Sequence, residues 1–333
     1  MQTKTLNQIR NIKLHRGIDI TFADNFKKSL LYKFYLEHSD ELILAIRNGY
    51  ISLYYNCDCI ARVDFRSNGK ACCKINKFYV DGMEKADYWD EKDIIEQYDS
   101  IKQKSDSRNS DEKKMQQKLF LSSNHNPSSK WFCLDIEWKK QFSNRTVSEN
   151  NGFNGRFDIV AVSKDTPHKI ALIELKYGDK ALGGKSGILK HVSDFYMFCE
   201  KGYFKEFKQE IIDIIESYNR LAIPLTNSFY NMKEEDIAQQ PLFYFITANN
   251  NIIGGRTPKQ AMAAYLFNKN SEHYRNWKGK RPSPNNVEDM LGIDVLDSKS
   301  KLPITFLFTH QTIDTLSIGD IINYKYEECI EPI

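Results

Sequence analysis

Three charged side chains stand in two apolar segments that have the length and composition of β-strands. The first segment, 156–162, carries Asp158, and the second, 170–176, carries Glu174 and Lys176. Charged groups are rarely buried without partners, so their presence in core strands predicts a shared role. Residues two apart in a strand point to the same face, so Glu174 and Lys176 are expected to be neighbours. A tight turn between the two strands would bring Asp158 alongside Glu174.

Two carboxylates and a lysine at one place are suited to phosphate chemistry with a divalent cation. Asp158, Glu174 and the backbone carbonyl of Leu175 form a hard oxygen set of the kind that binds Mg²⁺. The ion would lower the pKa of a bound water, and Lys176 would orient that water or stabilise the transition state. The alternative is ordinary ion pairing, of Asp158 with Arg156 or Lys176 and of Glu174 with Lys176. Buried ion pairs contribute little net stability, which favours the metal site.

The composition of the chain is that of a globular protein. Of its 333 residues 41% are apolar, with 20 Phe and 18 Tyr, enough for one large core or two ordinary ones. The net charge of +3 is nearly neutral, so a nucleic-acid surface would need local clustering of basic residues. The N-terminus lacks an apolar run, no segment is long enough to cross a bilayer, and the seven cysteines are an odd number. These features predict a cytoplasmic protein with reduced thiols and no membrane partner.

The N-terminal third has the pattern of a small α+β module. Apolar residues recur at helical spacing over 25–48, and Gly49 provides a stop. Short β-runs separated by turn residues then predict an antiparallel meander at about 50–80. A polar stretch follows, so we place the module and its connector at 1–110 and a second domain at 111–333.

The second domain mixes helices with apolar strands. Helices are predicted near 111–122 and at about 187–200, 204–219 and 258–267, and strands at 131–138, 156–162, 170–176, 242–247 and 303–309. This order predicts an α/β domain in which helices flank a mixed central sheet.

The acids and the lysine, placed on consecutive apolar strands after a helix, resemble the PD-(D/E)xK nuclease superfamily, also called the restriction-endonuclease-like fold. In that superfamily a helix precedes three strands, an Asp lies on the second strand and Glu-x-Lys on the third. Asp158 stands at the Pro-Asp position, with Phe in place of the proline, and residues 174–176 fit Glu-x-Lys unchanged. The resemblance covers about residues 111–250.

What the resemblance implies is a restriction-endonuclease-like mixed sheet flanked by helices and a nuclease that uses Mg²⁺ or Mn²⁺. It implies hydrolysis of phosphodiester bonds in DNA, as an endonuclease or an exonuclease, in restriction or defence against foreign DNA. Asp158, Glu174 and the carbonyl of Leu175 would then be the metal ligands, and Lys176 the catalytic lysine.

A further acid is expected in the same site, and two residues compete for the role. Glu137 lies in the predicted strand 131–138, where its spacing from Asp135 puts both on one face. Superfamily members often carry the extra acid on the first helix, which makes Glu112 the competitor. Our choice is Glu137, with a surface-facing pair of acids as the remaining alternative.

His191 is the candidate from the helix that follows the Glu-x-Lys strand. Superfamily members often place Gln, Lys or His on this helix, within reach of the scissile phosphate. A histidine beside an anionic site is able to contact a phosphate or a metal-bound water. The alternative is a surface histidine that bonds to Asp194, three residues later.

Basic residues near the proposed site predict contact with a nucleic-acid backbone. The loop 183–187 reads Gly-Gly-Lys-Ser-Gly but lacks the spacing of a nucleotide-binding P-loop. Backbone amides and lysines of such a loop fit phosphate contacts better. We therefore predict a nucleic-acid surface formed by Arg156, Lys180, Lys185 and Lys190.

Two other functions remain open from the sequence. The leading prediction is a nuclease, and the alternative is a non-catalytic nucleic-acid-binding or assembly module on the same fold. The intact set of two acids and a lysine argues against the module, since a binding surface has no need of two carboxylates that repel each other. A metal-dependent hydrolase acting on a small nucleotide is the third possibility. The N-terminal module would select the substrate, contact a partner protein or support a homodimer.

Overall fold

The computed structural model describes residues 16–79, 89–139, 155–178, 201–249, 304–308 and 317–323, together with five positions of one helix, His191, Asp194, Phe195, Phe198 and Cys199. The chain divides into two compact units. The first takes its described residues from Met1–Tyr54, Cys59–Lys104 and Glu206–Glu234, and the second from Tyr55–Asp58, Ser105–Lys205 and Glu235–Ile333. The division into 1–110 and 111–333 stays a prediction, and Glu206–Glu234 groups with the N-terminal segments.

The first unit begins with two short capped helices, α1 (Ile20–Lys27) and α2 (Leu30–Glu37). The Asp19 carboxylate accepts the backbone N–H of Phe22 at 2.7 Å, and the Ser29 hydroxyl accepts that of Tyr32 at 3.2 Å. Such side chains satisfy N–H groups that a helix start leaves without a partner. The cap at Ser29 therefore divides what the sequence predicted as one helix.

The chain then forms strand β1 (Leu42–Ile46), so the prediction of helix over 25–48 is wrong for this segment. All five residues of β1 are buried. A short apolar run has no periodicity that separates a buried strand from a buried helix. Its pairing with a neighbouring strand decided the outcome.

A four-stranded sheet follows, in the order β1-β2-β3-β4. Its other strands are β2 (Ile51–Tyr55), β3 (Asp58–Phe65) and β4 (Ala71–Ile75), which confirms the three predicted β-runs. β3 and β4 pair antiparallel, with Val63 opposite Cys73. β4 ends at Ile75, before the predicted limit of about 80, because Lys77–Tyr79 forms a 3₁₀ turn.

Three helices follow, α3 (Glu91–Glu96), α4 (Tyr98–Asp106) and α5 (Asp111–His125). The last agrees with the helix predicted near 111–122, and it packs against the first three strands of the second unit. Its buried residues include Met115, Leu119 and Phe120. In the described part of the chain, no helix has the length and apolar character needed to cross a membrane.

The second unit is built on a five-stranded mixed sheet in the order β5-β6-β7-β8-β9. β5, β6 and β7 pair antiparallel, whereas β7–β8 and β8–β9 pair parallel. The chain is thus α/β, and the five predicted strands are confirmed. The strands are β5 (Trp131–Lys139), β6 (Arg156–Ser163), β7 (Ile170–Tyr177), β8 (Leu242–Ala248) and β9 (Ile304–Phe308).

Two further helices lie in the described part of the chain, α6 (Tyr203–Arg220) and α7 (Ile318–Asn323). α6 confirms the helix predicted at 204–219. The helix predicted at 258–267 and the loop 183–187 lie outside the described residues.

β6 and β7 are central strands, and this explains their sequences. Every residue of β6 except Arg156 and every residue of β7 except Tyr177 is buried. Strands covered on both faces have continuous apolar sequences. Asp158, Glu174 and Lys176 are the charged residues within these buried runs.

Candidate active site

Asp158 reaches from β6 to β7 at the place where the two strands stop pairing. The pair closest to the site is Ile159 with Ile173, and continuing the register by one residue sets Asp158 opposite Glu174. The backbone N–H of Leu175 donates to Asp158 Oδ2 at 2.9 Å. A carboxylate thus accepts the N–H that a strand partner would otherwise satisfy.

Glu174 and Lys176 form a buried ion pair, as expected for residues two apart in a strand. Lys176 Nζ lies 2.6 Å from Glu174 Oε1, and the two side chains are 6% and 2% exposed. Neighbouring β8 sets buried Thr247 beside Lys176 and buried Phe245 beside Glu174. The charges are therefore largely shielded from water, which strengthens their interaction.

Helix α5 adds a third carboxylate through its first turn. Glu112 Oε1 lies 3.4 Å from Lys176 Nζ, and the Glu112 side chain is one-third exposed. Negative side chains are favourable in a first helical turn because the free backbone N–H groups carry positive charge. The structure thus brings the competitor Glu112, rather than our choice Glu137, to the lysine.

His191 joins the site on the other side of Glu174. His191 Nε2 lies 2.8 Å from Glu174 Oε1, whereas Nδ1 lies 4.0 Å from Asp194 Oδ2, beyond hydrogen-bond distance. Aromatic packing holds the helix of His191 on the sheet, since the Phe195 ring lies 4.5 Å from that of Phe243. His191 therefore contacts the acid of the strand more closely than the neighbour on its own helix.

The charges of the site shift one another's pKa values. Burial raises the pKa of the Asp158 carboxyl well above its usual range, and the nearby charge of Glu174 adds to the shift. Burial would also raise the pKa of Glu174, but His191 and Lys176 outweigh it and lower that pKa. Burial would lower the pKa of Lys176, but Glu174, Asp158 and Glu112 raise it. Burial raises the pKa of Glu112, and Lys176 opposes that shift. An ionised pair thus lies beside a carboxyl that retains its proton more readily.

One oxygen of this cluster has no hydrogen-bond partner among the residues that the structure describes. Both Lys176 Nζ and His191 Nε2 contact Glu174 Oε1, whereas Glu174 Oε2 is buried without such a partner. Buried carboxylate oxygens are normally paired, so an unpaired one marks a place suited to a ligand. A divalent cation fits the chemistry of Asp158, Glu174 and the Leu175 carbonyl, because Mg²⁺ uses one or two carboxylates and keeps several waters.

The protein does not offer a complete cage of ligands for such an ion. Among the residues that the structure describes, no group of three or more His, Cys, Asp or Glu side chains is arranged to hold a metal. Water and phosphate oxygens would have to complete the coordination. That requirement is typical of Mg²⁺ sites that act on phosphate substrates.

Glu137 has different partners from those that its predicted catalytic role requires. It pairs with Arg156, and Lys113 Nζ lies 3.5 Å from its Oε1. Its backbone φ is 52°, in the left-handed region, and the pairing of β5 with β6 shifts register between Cys133 and Asp135. The left-handed φ of Glu137 departs from the strand geometry from which its common face with Asp135 was predicted, whereas the register shift lies ahead of both residues.

The predicted nucleic-acid residues are described only in part. Arg156 lies at the start of β6, with its side chain 43% exposed and paired with Glu137. Lys180, Lys185 and Lys190 lie outside the described residues. Two further basic residues, Lys113 and Arg108, were not predicted from the sequence. Lys113 lies close to Asp58 and Glu137, and Arg108 pairs with Asp58. Lys113 directly follows Glu112 in the chain, and this adjacency was the one available signal.

Comparison with protein-family models, with curated proteins and with solved structures found no match.

Proposed function

We propose that this chain is a Mg²⁺-dependent nuclease that hydrolyses phosphodiester bonds in DNA. The observation that carries the proposal is the grouping of Asp158, Glu174 and Lys176, in which Glu174 Oε2 is buried and has no hydrogen-bond partner in the described part of the chain. A protein core has no use for two coupled carboxylates, a lysine and an unsatisfied oxygen, each of which costs free energy. A cation and a phosphate would satisfy all of them.

The order of elements supports the restriction-endonuclease-like fold as the finer assignment. Helix α5 precedes β5, β6 and β7, with Asp158 on the second of these strands and residues 174–176 on the third. This is the arrangement that the resemblance to the PD-(D/E)xK superfamily implies. A role in restriction or defence rests on the resemblance alone.

The mechanism assigns each residue a role that its contacts support. Mg²⁺ bound by Asp158, Glu174 and the Leu175 carbonyl would supply an acidified water and neutralise charge on the phosphate. Lys176 would donate hydrogen bonds to the attacking water or to a non-bridging phosphate oxygen as negative charge develops there. Glu174, Asp158 and Glu112 together raise the pKa of Lys176 and keep its ammonium charged, and Glu112 contacts that ammonium from helix α5.

His191 would orient the carboxylate of Glu174. Its Nε2 lies 2.8 Å from Glu174 Oε1, which holds that carboxylate in one orientation. Residues that orient a ligand in this way commonly change affinity or activity by about 10- to 100-fold when they are removed.

A non-catalytic nucleic-acid-binding or assembly module on the same fold is the second candidate. The observation in its favour is the 2.6 Å contact of Lys176 with Glu174, which is the ion pair that a purely structural role requires. This reading leaves the buried Oε2 of Glu174 without an explanation.

Cleavage assays test the proposal directly. Supercoiled plasmid, linear duplex and single-stranded DNA are incubated with the purified chain and Mg²⁺, Mn²⁺ or EDTA. We expect cleavage that requires the metal and is lost in Lys176→Met. Lys102→Met is the matched control, because Lys102 also lies 2.6 Å from a carboxylate, that of Glu41, but in the first unit.

Two results would refute this proposal. One is equal cleavage by the wild type and Lys176→Met, which would assign the activity to another site or to a contaminant. The other is the absence of cleavage under every metal condition while the protein binds DNA, which would favour the binding module.

A further inference from the structure

We propose that a row of ion pairs beside the site is a second phosphate-binding surface, which holds the DNA backbone next to the scissile position. We call this row the ion-pair strip; it consists of Arg108, Asp58, Lys113, Glu137 and Arg156. The inference rests on the proposed nuclease function and deepens it, by assigning residues that bind the substrate without taking part in the chemistry.

The strip is a continuous alternation of charges within the second unit. Lys113 Nζ lies 3.1 Å from Asp58 Oδ1 and 3.5 Å from Glu137 Oε1. At one end of the row Arg108 pairs with Asp58, and at the other end Arg156 pairs with Glu137. Three cations meet two carboxylates, so the strip carries an excess of one positive charge.

The cations of the strip are more exposed than its carboxylates, as the binding of a polyanion requires. Asp58 and Glu137 are 13% and 19% exposed, whereas Arg108, Lys113 and Arg156 are 29%, 37% and 43% exposed. The carboxylates thus lie beneath and the cations outside. Because an arginine or lysine has several N–H donors, it keeps some for a phosphate while it contacts a carboxylate.

The strip is joined to the site by two elements. In helix α5, Lys113 directly follows Glu112, whose carboxylate lies 3.4 Å from Lys176 Nζ. In β6, Arg156 stands two residues before Asp158. A DNA strand with one phosphate at the site would therefore pass close to the strip.

Stability alone does not account for such a row. A partly exposed ion pair contributes little to stability, so a row of five charged side chains is a weak means of holding a fold together. Contacts from exposed cations to phosphates position DNA without reading its sequence. We therefore expect the strip to raise affinity for any DNA sequence.

The salt dependence of DNA binding tests the strip independently of cleavage. Fluorescence anisotropy of a short labelled duplex is measured from about 50 to 300 mM KCl, with Asp158→Asn as the background to prevent cutting. Each phosphate contact contributes about 0.9 to the slope of log K against log[salt]. Arg156→Met, Lys113→Met and Arg108→Met should each reduce the slope by about that amount and weaken binding about five- to tenfold at 100 mM.

Glu137→Gln provides a test of opposite sign. It removes a negative charge that competes with phosphate for Lys113 and Arg156, so binding should become about two- to fivefold tighter at low salt. Lys102→Met is the control and should leave both slope and affinity unchanged. Circular dichroism of each variant tests whether it is folded, so that weaker DNA binding is not mistaken for unfolding.

The strip and the nuclease fail in distinguishable ways. Unchanged slopes in all three cation variants, or a background protein that binds no DNA, would overturn the strip. Reduced slopes together with a wild type that never cuts DNA would support the strip and refute the nuclease. In a cutting enzyme, the cation variants should raise KM and leave kcat within about twofold, because their residues act on binding alone.

Discussion

The backbone N–H of Leu175 donates a 2.9 Å hydrogen bond to Asp158 Oδ2. Leu175 lies between Glu174 and Lys176, so this bond ties the acid of β6 to the centre of the Glu-x-Lys segment of β7. The contact explains how residues that lie 16 to 18 positions apart in the chain become one charged cluster.

Asp158→Asn should abolish metal-dependent cleavage without unfolding the protein. An amide is a poor ligand for Mg²⁺ compared with a carboxylate, so we expect a loss of at least about a hundredfold. The Asn oxygen is still able to accept the Leu175 N–H, and burial already raises the pKa of Asp158. The melting temperature in EDTA should therefore be unchanged or higher. Cleavage at the wild-type rate would remove Asp158 from the site.

The Glu174–Lys176 pair should be strongly coupled in stability. Lys176→Met leaves a buried carboxylate with one cation fewer and should lower the free energy of unfolding by about 3 kcal/mol. The double variant Glu174→Gln with Lys176→Met should recover about 1–3 kcal/mol relative to the sum of the single changes. Urea unfolding of the four proteins measures this cycle. A sum that is simply additive would show that the two charges do not interact.

The metal-free protein should lose stability as pH rises above about 4, the ordinary pKa of a carboxyl group. Asp158 and Glu112 have pKa values raised in the folded state, so the stability that their protons contribute is fully present below about pH 4. That stability is lost as pH rises through their folded pKa values, by at most about 1.4 kcal/mol per pH unit for each proton. The lowered pKa of Glu174 acts only at more acidic pH, and the raised pKa of Lys176 only at more basic pH.

Unfolding in EDTA at several pH values, compared with Asp158→Asn, measures this effect. The variant should lose less stability across the range, because it lacks the proton of Asp158. Metal binding must displace that proton, so the affinity for Mn²⁺ should rise by up to about tenfold per pH unit. Identical pH profiles for both proteins would show that Asp158 is ionised without the metal.

Glu112 and Glu137 should respond differently to the same change. Glu112→Gln removes a carboxylate 3.4 Å from Lys176 and should lower kcat by about 10- to 100-fold. Glu137 contacts Arg156 and Lys113, so Glu137→Gln should leave kcat nearly unchanged and alter KM. Steady-state cleavage of one duplex substrate measures both. A large loss of kcat in Glu137→Gln alone would restore Glu137 as the catalytic acid.

The central strands of the second unit and helix α6 were predictable because their patterns are local. β6 and β7 are continuous apolar runs, and α6 has helical spacing over its whole length. The segment Leu42–Ile46 was not predictable, because five apolar residues in a row fit a buried helix as well as a buried strand. Its pairing with β2, across the short connection at 47–50, is not visible in the apolar run itself.

The candidate site divides in the same way. Asp158, Glu174 and Lys176 could be predicted from the sequence alone, because charged residues in apolar strands are costly to bury. A spacing of two residues also sets Glu174 beside Lys176. That Glu112 contacts Lys176, whereas Glu137 pairs with Arg156, depended on how helix α5 packs against the sheet. The sequence therefore determined which side chains needed partners, through the cost of burying charge. The tertiary structure decided which partners they found, because only folding brings α5, β6, β7 and the helix of His191 together.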